Sequence, residues 1–270
     1  EKIKHVIAAG AEELFNFSNL ETDASPENIV FSTGKIFAGD SGKKIIYSFD
    51  LAKKTTAVIS DAKEKTNSLK FPTAGKNNDI YYFGENNIVQ LDASSLKTKI
   101  LNIQLAAGAD NADSMAFFNG KLYIPHKNAN QIYAYKKDGE KFIGSGWLKE
   151  KTDLANVADI DIDGSVYLLK NDGQLLKYLK GREENISLAP IEPALAHPTT
   201  IIAKSESNYI YILEPANKRL AVFDKEGKFI LQYQMEQIAD LKDFAIYEES
   251  ETIYLLNKNS IYKIQIKHLK

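Results

Sequence analysis

An aliphatic residue followed by an aromatic one returns six times along this chain, as Ile36-Phe37, Ile80-Tyr81, Leu122-Tyr123, Val166-Tyr167, Ile210-Tyr211 and Ile253-Tyr254, at intervals of 42–44 residues. A second apolar run keeps the same beat: IYSFD from Ile46, IVQLD from Ile88, IYAYK from Ile132, LLKYL from Leu175, LAVFD from Leu220 and IYKIQ from Ile261, at intervals of 41–45 residues. The second run begins 8 to 10 residues after the first in every copy. Two anchors held in phase this way restrict the chain to a repeat architecture, with an irregular β-sandwich as the alternative. The clearest copy is Asn208–Gln234. There Tyr209–Leu213 is aromatic or aliphatic throughout, as a strand buried on both faces requires. Pro215 then breaks the run, Leu220–Phe223 starts another, and Gly227 turns the chain into Phe229–Tyr233.

A period of roughly 40–50 residues with four strands per unit is a propeller blade. The fourth, innermost strand precedes each aliphatic–aromatic pair. Its copies are Asn28–Phe31, Ser68–Phe71, Ser114–Phe118, Val157–Asp163, Thr199–Ala203 and Asp243–Tyr247. The predicted fold is therefore all-β, a six-bladed propeller of four-stranded blades over residues 1–270. The last unit ends before its outer strand. The centre of that strand precedes the next pair by 22 residues in complete units, as from Val58 to Ile80 and from Leu231 to Ile253, and the same step back from Ile36 reaches Leu14. Residues 12–20 are thus expected to supply the missing strand and close the ring, a short helix at Ala11–Phe17 being the alternative. Residues 1–10 read as a linker remnant, Pro72–Asn78 as a long loop between the first two strands of its unit, Met235–Leu241 as one helical turn, and the single tryptophan, Trp147, as interblade packing or, if exposed, a binding anchor.

Lysines and acids are mixed throughout and the net charge is −2, without the basic stripe of a nucleic-acid binder. The absence of cysteine excludes disulfides and thiolate zinc sites. No apolar run approaches the ~20 residues that span a bilayer. The first residue is Glu, and nothing resembles a signal peptide, so the sequence reads as a processed chain or an excised domain tethered to another.

The stretch from His197 to Ile230 resembles an NHL-type propeller repeat. It has Pro198 opening the innermost strand, Glu214 ending the next, then Asn217, Arg219 and the closing Asp224, Gly227 and Phe229. The whole also resembles propeller modules attached outside the membrane to bacterial surface or signalling proteins, some carrying a PP2C-type phosphatase domain. The resemblance implies a non-catalytic recognition or sensor module of a larger bacterial protein, extracytoplasmic or at the cell surface. Its partner would be a protein, peptide or glycan bound over the central channel, without a cofactor.

Loops from every blade converge at the channel mouth, which makes the face bearing the loops after the second strands the expected ligand face. Candidate contacts there are Asp113, His126, Asn128, Asp159, Glu214, Asn217, Arg219 and Asp243. The alternative is a metal-dependent lactonase- or esterase-like hydrolase, with Asp110, Asn111, Asp113, Asp159, Asp240 and Asp243 gathered in the channel. Asp159-x-Asp161-x-Asp163-Gly164 starts like a calcium loop, but its twelfth position is Lys170 where a bidentate Glu is needed. A strand whose aspartates face the channel or cap neighbouring backbone is the better reading. No nucleophile elbow, phosphate-binding loop or zinc-protease motif is present. His126 and His197 lie two units apart, which reads as isolated surface histidines.

Overall fold

The computed structural model of the chain describes residues 5–106, 109 and 112–269. β1 (Val6–Ala8) and β2 (Glu12–Asn16) precede a series of antiparallel meanders. The first meander is β3 (Asn28–Ser32), β4 (Lys35–Asp40), β5 (Ile45–Asp50) and β6 (Thr56–Ile59), and the second β7 (Lys70–Ala74), β8 (Asp79–Phe83), β9 (Asn87–Asp92) and β10 (Lys97–Gln104). The third is β11 (Ala116–Phe118), β12 (Lys121–His126), β13 (Gln131–Asp138) and β14 (Lys141–Gly146), and the fourth β15 (Val157–Ile162), β16 (Val166–Lys170), β17 (Leu175–Leu179) and β18 (Arg182–Glu184). The fifth is β19 (Thr200–Ile202), β20 (Tyr209–Glu214), β21 (Arg219–Asp224) and β22 (Phe229–Gln234); the last is β23 (Leu241–Tyr247), β24 (Thr252–Asn257) and β25 (Ser260–Gln265). Each aliphatic–aromatic pair falls on the second strand of its meander. Ile210, Tyr211, Ile212 and Leu213 of β20 have no exposed surface, in keeping with a strand covered on both faces.

The chain is all-β and propeller-like, but hydrogen bonding among the described residues divides it into five sheets, not six. The second and third meanders merge into one eight-stranded sheet, because β10 is long enough to run on beside β14. Asn102, Ile103 and Gln104 pair in parallel with Lys141, Phe142 and Ile143. A parallel partner also joins the fifth meander, where Val6–Ala8 pairs with Gln232–Gln234. That segment lies within the stretch read as a linker remnant and is a strand instead.

The ring closes as the 22-residue spacing implies. Glu12, Glu13, Phe15 and Asn16 oppose Lys263, Tyr262, Ile261 and Ser260, so β2 supplies the outer strand of the last sheet and the helical alternative is wrong. The strand is shorter than expected: Phe17–Asn19 is a 3-10 turn, capped by Asn16 Oδ1 accepting the Ser18 amide at 2.8 Å. Phe17 is fully buried there, beside Tyr47 of the first meander.

Packing between meanders follows the same circle. Among the described residues the buried apolar side chains form six clusters, each shared by neighbouring meanders. The first and second share Phe37, Ile46, Tyr82 and Val89, and the last and first share Leu256, Ile261, Ile36 and Tyr47. Trp147, read as either packing or a binding anchor, packs edge-on to Tyr123 at 5.7 Å in the cluster between the third and fourth meanders.

Two local expectations need correction. Pro72–Ala74, read as loop, belongs to β7, whose pairing with β8 jumps from Lys70 to Thr73. Phe71 takes a positive φ and Pro72 has no amide to offer, so the bulge falls where the ladder would in any case be interrupted. Met235–Leu241 holds turns and no helix, and Met235 and Ile238 are buried in the cluster between the fifth and last meanders.

Candidate functional site

The innermost strands enclose an axial cavity of about 970 Å³. β3, β7, β15, β19 and β23 line it, together with Ser114 and Met115 just before β11. Its wall is largely apolar, through Ile29, Phe31, Phe71, Met115, Ile160 and Ile202. A belt of polar side chains runs around it, each bonded to the strand of the neighbouring meander. Asp243 Oδ2 accepts the Ile29 amide at 2.8 Å, and Asn28 Nδ2 donates to the Leu69 carbonyl at 2.8 Å. Thr73 Oγ1 accepts the Phe117 amide at 2.9 Å, and Ser114 Oγ accepts the Ile160 amide at 3.3 Å while donating to Asp159. Asp159 Oδ2 and Asp161 Oδ2 accept the Ile201 and Ala203 amides, each at 2.8 Å. Thr200 Oγ1 reaches Asp243 Oδ1 at 3.4 Å and completes the circuit. Neighbouring innermost strands are not otherwise paired, so their channel-side amides would lack partners without these side chains.

The same burial acts on the carboxyls. Asp159 is pushed up from 3.8 to about 7, by burial first, against the opposing pull of its bonds from Ser114 and the Ile201 amide. Asp243 is likewise pushed up to about 7 by burial, with the negative charge of Asp159 adding to it. Near neutral pH each is therefore close to half-protonated, and ionising one disfavours ionising the other. Asp161, 5% exposed, is paired with Lys204, whose Nζ lies 3.0 Å from its Oδ1.

Of the residues expected to form the ligand face, the structure brings only Asp159 and Asp243 into the cavity wall. Glu214 and Arg219 have no exposed surface, and the carboxylate and guanidinium bond each other directly. Arg219 also donates to Gln232 Oε1 at 2.7 Å and to the Pro193 and Ala194 carbonyls, while Glu214 Oε1 accepts from Ala196 N and Asn217 Nδ2. The repeat-like Glu-Asn-Arg set thus anchors the long crossing before β19 from inside, with Glu214 and Arg219 enclosed and Asn217 half-buried. His126 is buried, with Nε2 3.1 Å from the Tyr135 hydroxyl, which corrects its reading as a surface histidine. Asp113 forms an ion pair with Lys127 at 2.9 Å, and Asn128 is exposed in the turn beside it. Asp240 is exposed outside the cavity, and Asp110 and Asn111 lie outside the described residues. The sequence reading passed over Thr73, Ser114, Thr200 and Glu248, all in the cavity wall. For Thr73 and Thr200 the signal was the innermost-strand register, which places alternate residues toward the axis; Ser114 and Glu248 lie just outside their strands.

A divalent cation in this channel would need several oxygen donors converging on one point. Among the described residues no group of three or more Asp, Glu or His side chains stands together as a ligand set. Both oxygens of Asp159 and of Asp243 already accept hydrogen bonds, and burial disfavours the charge on either carboxyl that a cation requires. The described residues do not fit a resident calcium ion.

No protein-family model matches the chain, and no curated protein matches it in sequence. Solved structures share its architecture. A streptogramin B lyase is 16% identical over 96% of this chain and 98% of that one, with a TM-score of 0.64. A gluconolactonase from Xanthomonas campestris is 11% identical over 96% and 90%, with a TM-score of 0.68. A regucalcin from Agrobacterium tumefaciens, described as calcium-binding, is 11% identical over 98% of each chain, with a TM-score of 0.65. The chain is thus similar to these NHL-like propellers in fold.

Proposed function

We propose that this chain is a six-bladed recognition propeller whose ligand enters the central channel. Counting six blades follows the six meanders and treats the β10–β14 contact as a bridge between two of them. The observation that carries the reading is the axial cavity itself. At about 970 Å³ it falls within the range of small-molecule sites, and it combines an apolar wall with a few fixed polar groups. A peptide or glycan segment suits it better than a broad protein surface, because Glu214, Arg219 and His126, once expected on the rim, are buried in structural roles. As a module tethered outside a bacterial membrane, it would sample such segments there.

The test is a glycan and peptide array probed with the wild-type chain, Ile202→Trp, which narrows the channel, and Asn128→Ala on the rim. Binding lost with the tryptophan and kept with the rim variant supports the channel. Binding unaffected by Ile202→Trp removes it.

A second reading is favoured by Asp159 and Asp243, whose coupled carboxyls supply one acid and one base near neutral pH. Such a pair suits hydrolysis of a lactone or ester by a water held between them, an activity class found among the fold relatives. Turnover of a lactone panel that falls at least a hundredfold in both Asp159→Asn and Asp243→Asn would favour it; equal turnover in both variants would exclude these residues.

A further inference from the structure

At the end of the channel where β23 leaves it, an uninterrupted relay of hydrogen bonds converges on Glu248. Ser207, Tyr211, Tyr247 and Glu248 all line the cavity there. Glu248 Oε1 accepts from the Ser207 hydroxyl at 2.5 Å and from the Tyr211 hydroxyl at 2.6 Å. Tyr211 has one proton and gives it to Glu248, so its oxygen, 3.0 Å from His268 Nε2, must accept from that nitrogen. The imidazole is then the Nε2–H tautomer. Its Nδ1, 2.9 Å from the Tyr233 hydroxyl, accepts a proton from it, and the Tyr233 oxygen accepts the Lys267 amide at 2.7 Å. Every donor in the chain points toward the carboxylate. Burial pushes His268 down to about 4, which keeps the ring neutral and the direction of the relay fixed. The charged and titratable groups facing it are Tyr209 and Tyr211 on β20, Tyr233 on β22 and Glu248.

This construction saturates one oxygen of the Glu248 side chain and fixes its orientation in the cavity wall. The described residues place no hydrogen-bond donor on Oε2. In the same stretch of cavity wall Tyr247 stacks on Phe31 at 4.5 Å and donates its hydroxyl proton to Glu249 at 3.0 Å. Lys204, a cation that also lines the cavity, is paired with Asp161. A fixed carboxylate next to aromatic faces in a cavity recognises a cationic N–H donor through a charge-assisted bond and cation–π contact.

We propose that Glu248 binds an ammonium or guanidinium group of the channel ligand, and that Tyr211 and His268 are its positioning residues. This rests on the channel reading and names its ligand class. It also gives the segment after β25 a function, since His268 connects that segment to the cavity wall.

The test is an NMR titration with N-acetyl-arginine amide and its uncharged isostere N-acetyl-citrulline amide. Saturable shifts at Glu248 and Tyr247 are expected for the arginine probe, with binding at least tenfold weaker for citrulline. Glu248→Gln should lose at least tenfold, and His268→Ala and Tyr211→Phe several-fold, whereas Glu249→Gln should stay within twofold. His268→Gln, which keeps an N–H donor for the Tyr211 oxygen, should recover part of the binding lost in His268→Ala, a rescue that simple loosening of the fold would not produce. Should His268→Ala not fold, Glu248→Gln alone decides. No saturable shift in wild type, equal affinity for both probes, or unchanged affinity in Glu248→Gln would overturn the proposal. An array ligand lost in Ile202→Trp but kept in Glu248→Gln would end this inference and leave the channel reading standing.

Discussion

Replacing Asp159 with asparagine should leave the protein nearly unchanged below about pH 4 and stabilise it increasingly as pH rises to neutral and above. The folded carboxyl takes up its proton near pH 7, whereas the free side chain does so near 3.8. The folded state therefore prefers the protonated form. Stability from this group is complete below about 3.8 and is lost as pH rises through about 7. At about 1.4 kcal/mol per pKa unit, the displacement sets a ceiling of roughly 4 kcal/mol above pH 8. Water entering the channel screens the charge, so a gain of about 1–3 kcal/mol is expected, or some 3–10 °C in Tm for a chain of this size. Asparagine keeps the geometry, since its oxygen accepts the Ile201 amide and its amide donates to Ser114 Oγ. The assay is urea unfolding of both proteins from pH 5 to pH 9. The difference should open with pH, and the Asp243 carboxyl should titrate lower in the variant because the Asp159 charge no longer opposes it. A constant difference across this range, or destabilisation at pH 9, would refute the argument that burial dominates at Asp159.

Other perturbations probe separate parts of the account. Arg219→Met should destabilise by about 3–5 kcal/mol, since it leaves the Glu214 carboxylate buried and unpaired, while the Glu214→Met/Arg219→Met pair should lose less; thermal unfolding distinguishes them. Gly227 has φ +86°, and a Cβ there would sit 2.4 Å from the Ser187 carbonyl oxygen. Gly227→Ala should therefore lose at least about 1 kcal/mol, read from the urea midpoint, whereas the open site Gly10→Ala should change it little.

Periodicity made the strands legible because each meander repeats one buried second strand, and burial on both faces leaves few residue types to choose from. Ring closure was legible for the same reason: a missing outer strand leaves an edge, and Leu14 falls at the right spacing to cover it. The merging of two meanders was not legible. It depends on β10 extending past its antiparallel partner, and nothing in Asn102–Gln104 distinguishes a parallel neighbour from solvent. The Glu-Asn-Arg set was found but misassigned. A polar cluster at a turn looks like a ligand face in sequence, and only the path of Glu192–Ala196 across it shows the charges to be enclosed. Asp159 and Asp243 were located because they begin innermost strands. Their use as bonds between strands, and the relay from His268 to Glu248, join residues up to 214 apart and follow only from the closed circle.

The channel exists only if the two ends of the chain meet in one sheet. The chain has no cysteine, so a Glu12→Cys/Lys263→Cys pair, placed on directly opposed residues of β2 and β25, reports on that meeting without interference. Under mild oxidation the account predicts a monomeric, internally linked species in high yield, with a Tm above that of its reduced form. Only intermolecular disulfides, or a pair of thiols that stay free in the folded protein, would contradict the closed ring and the site inside it.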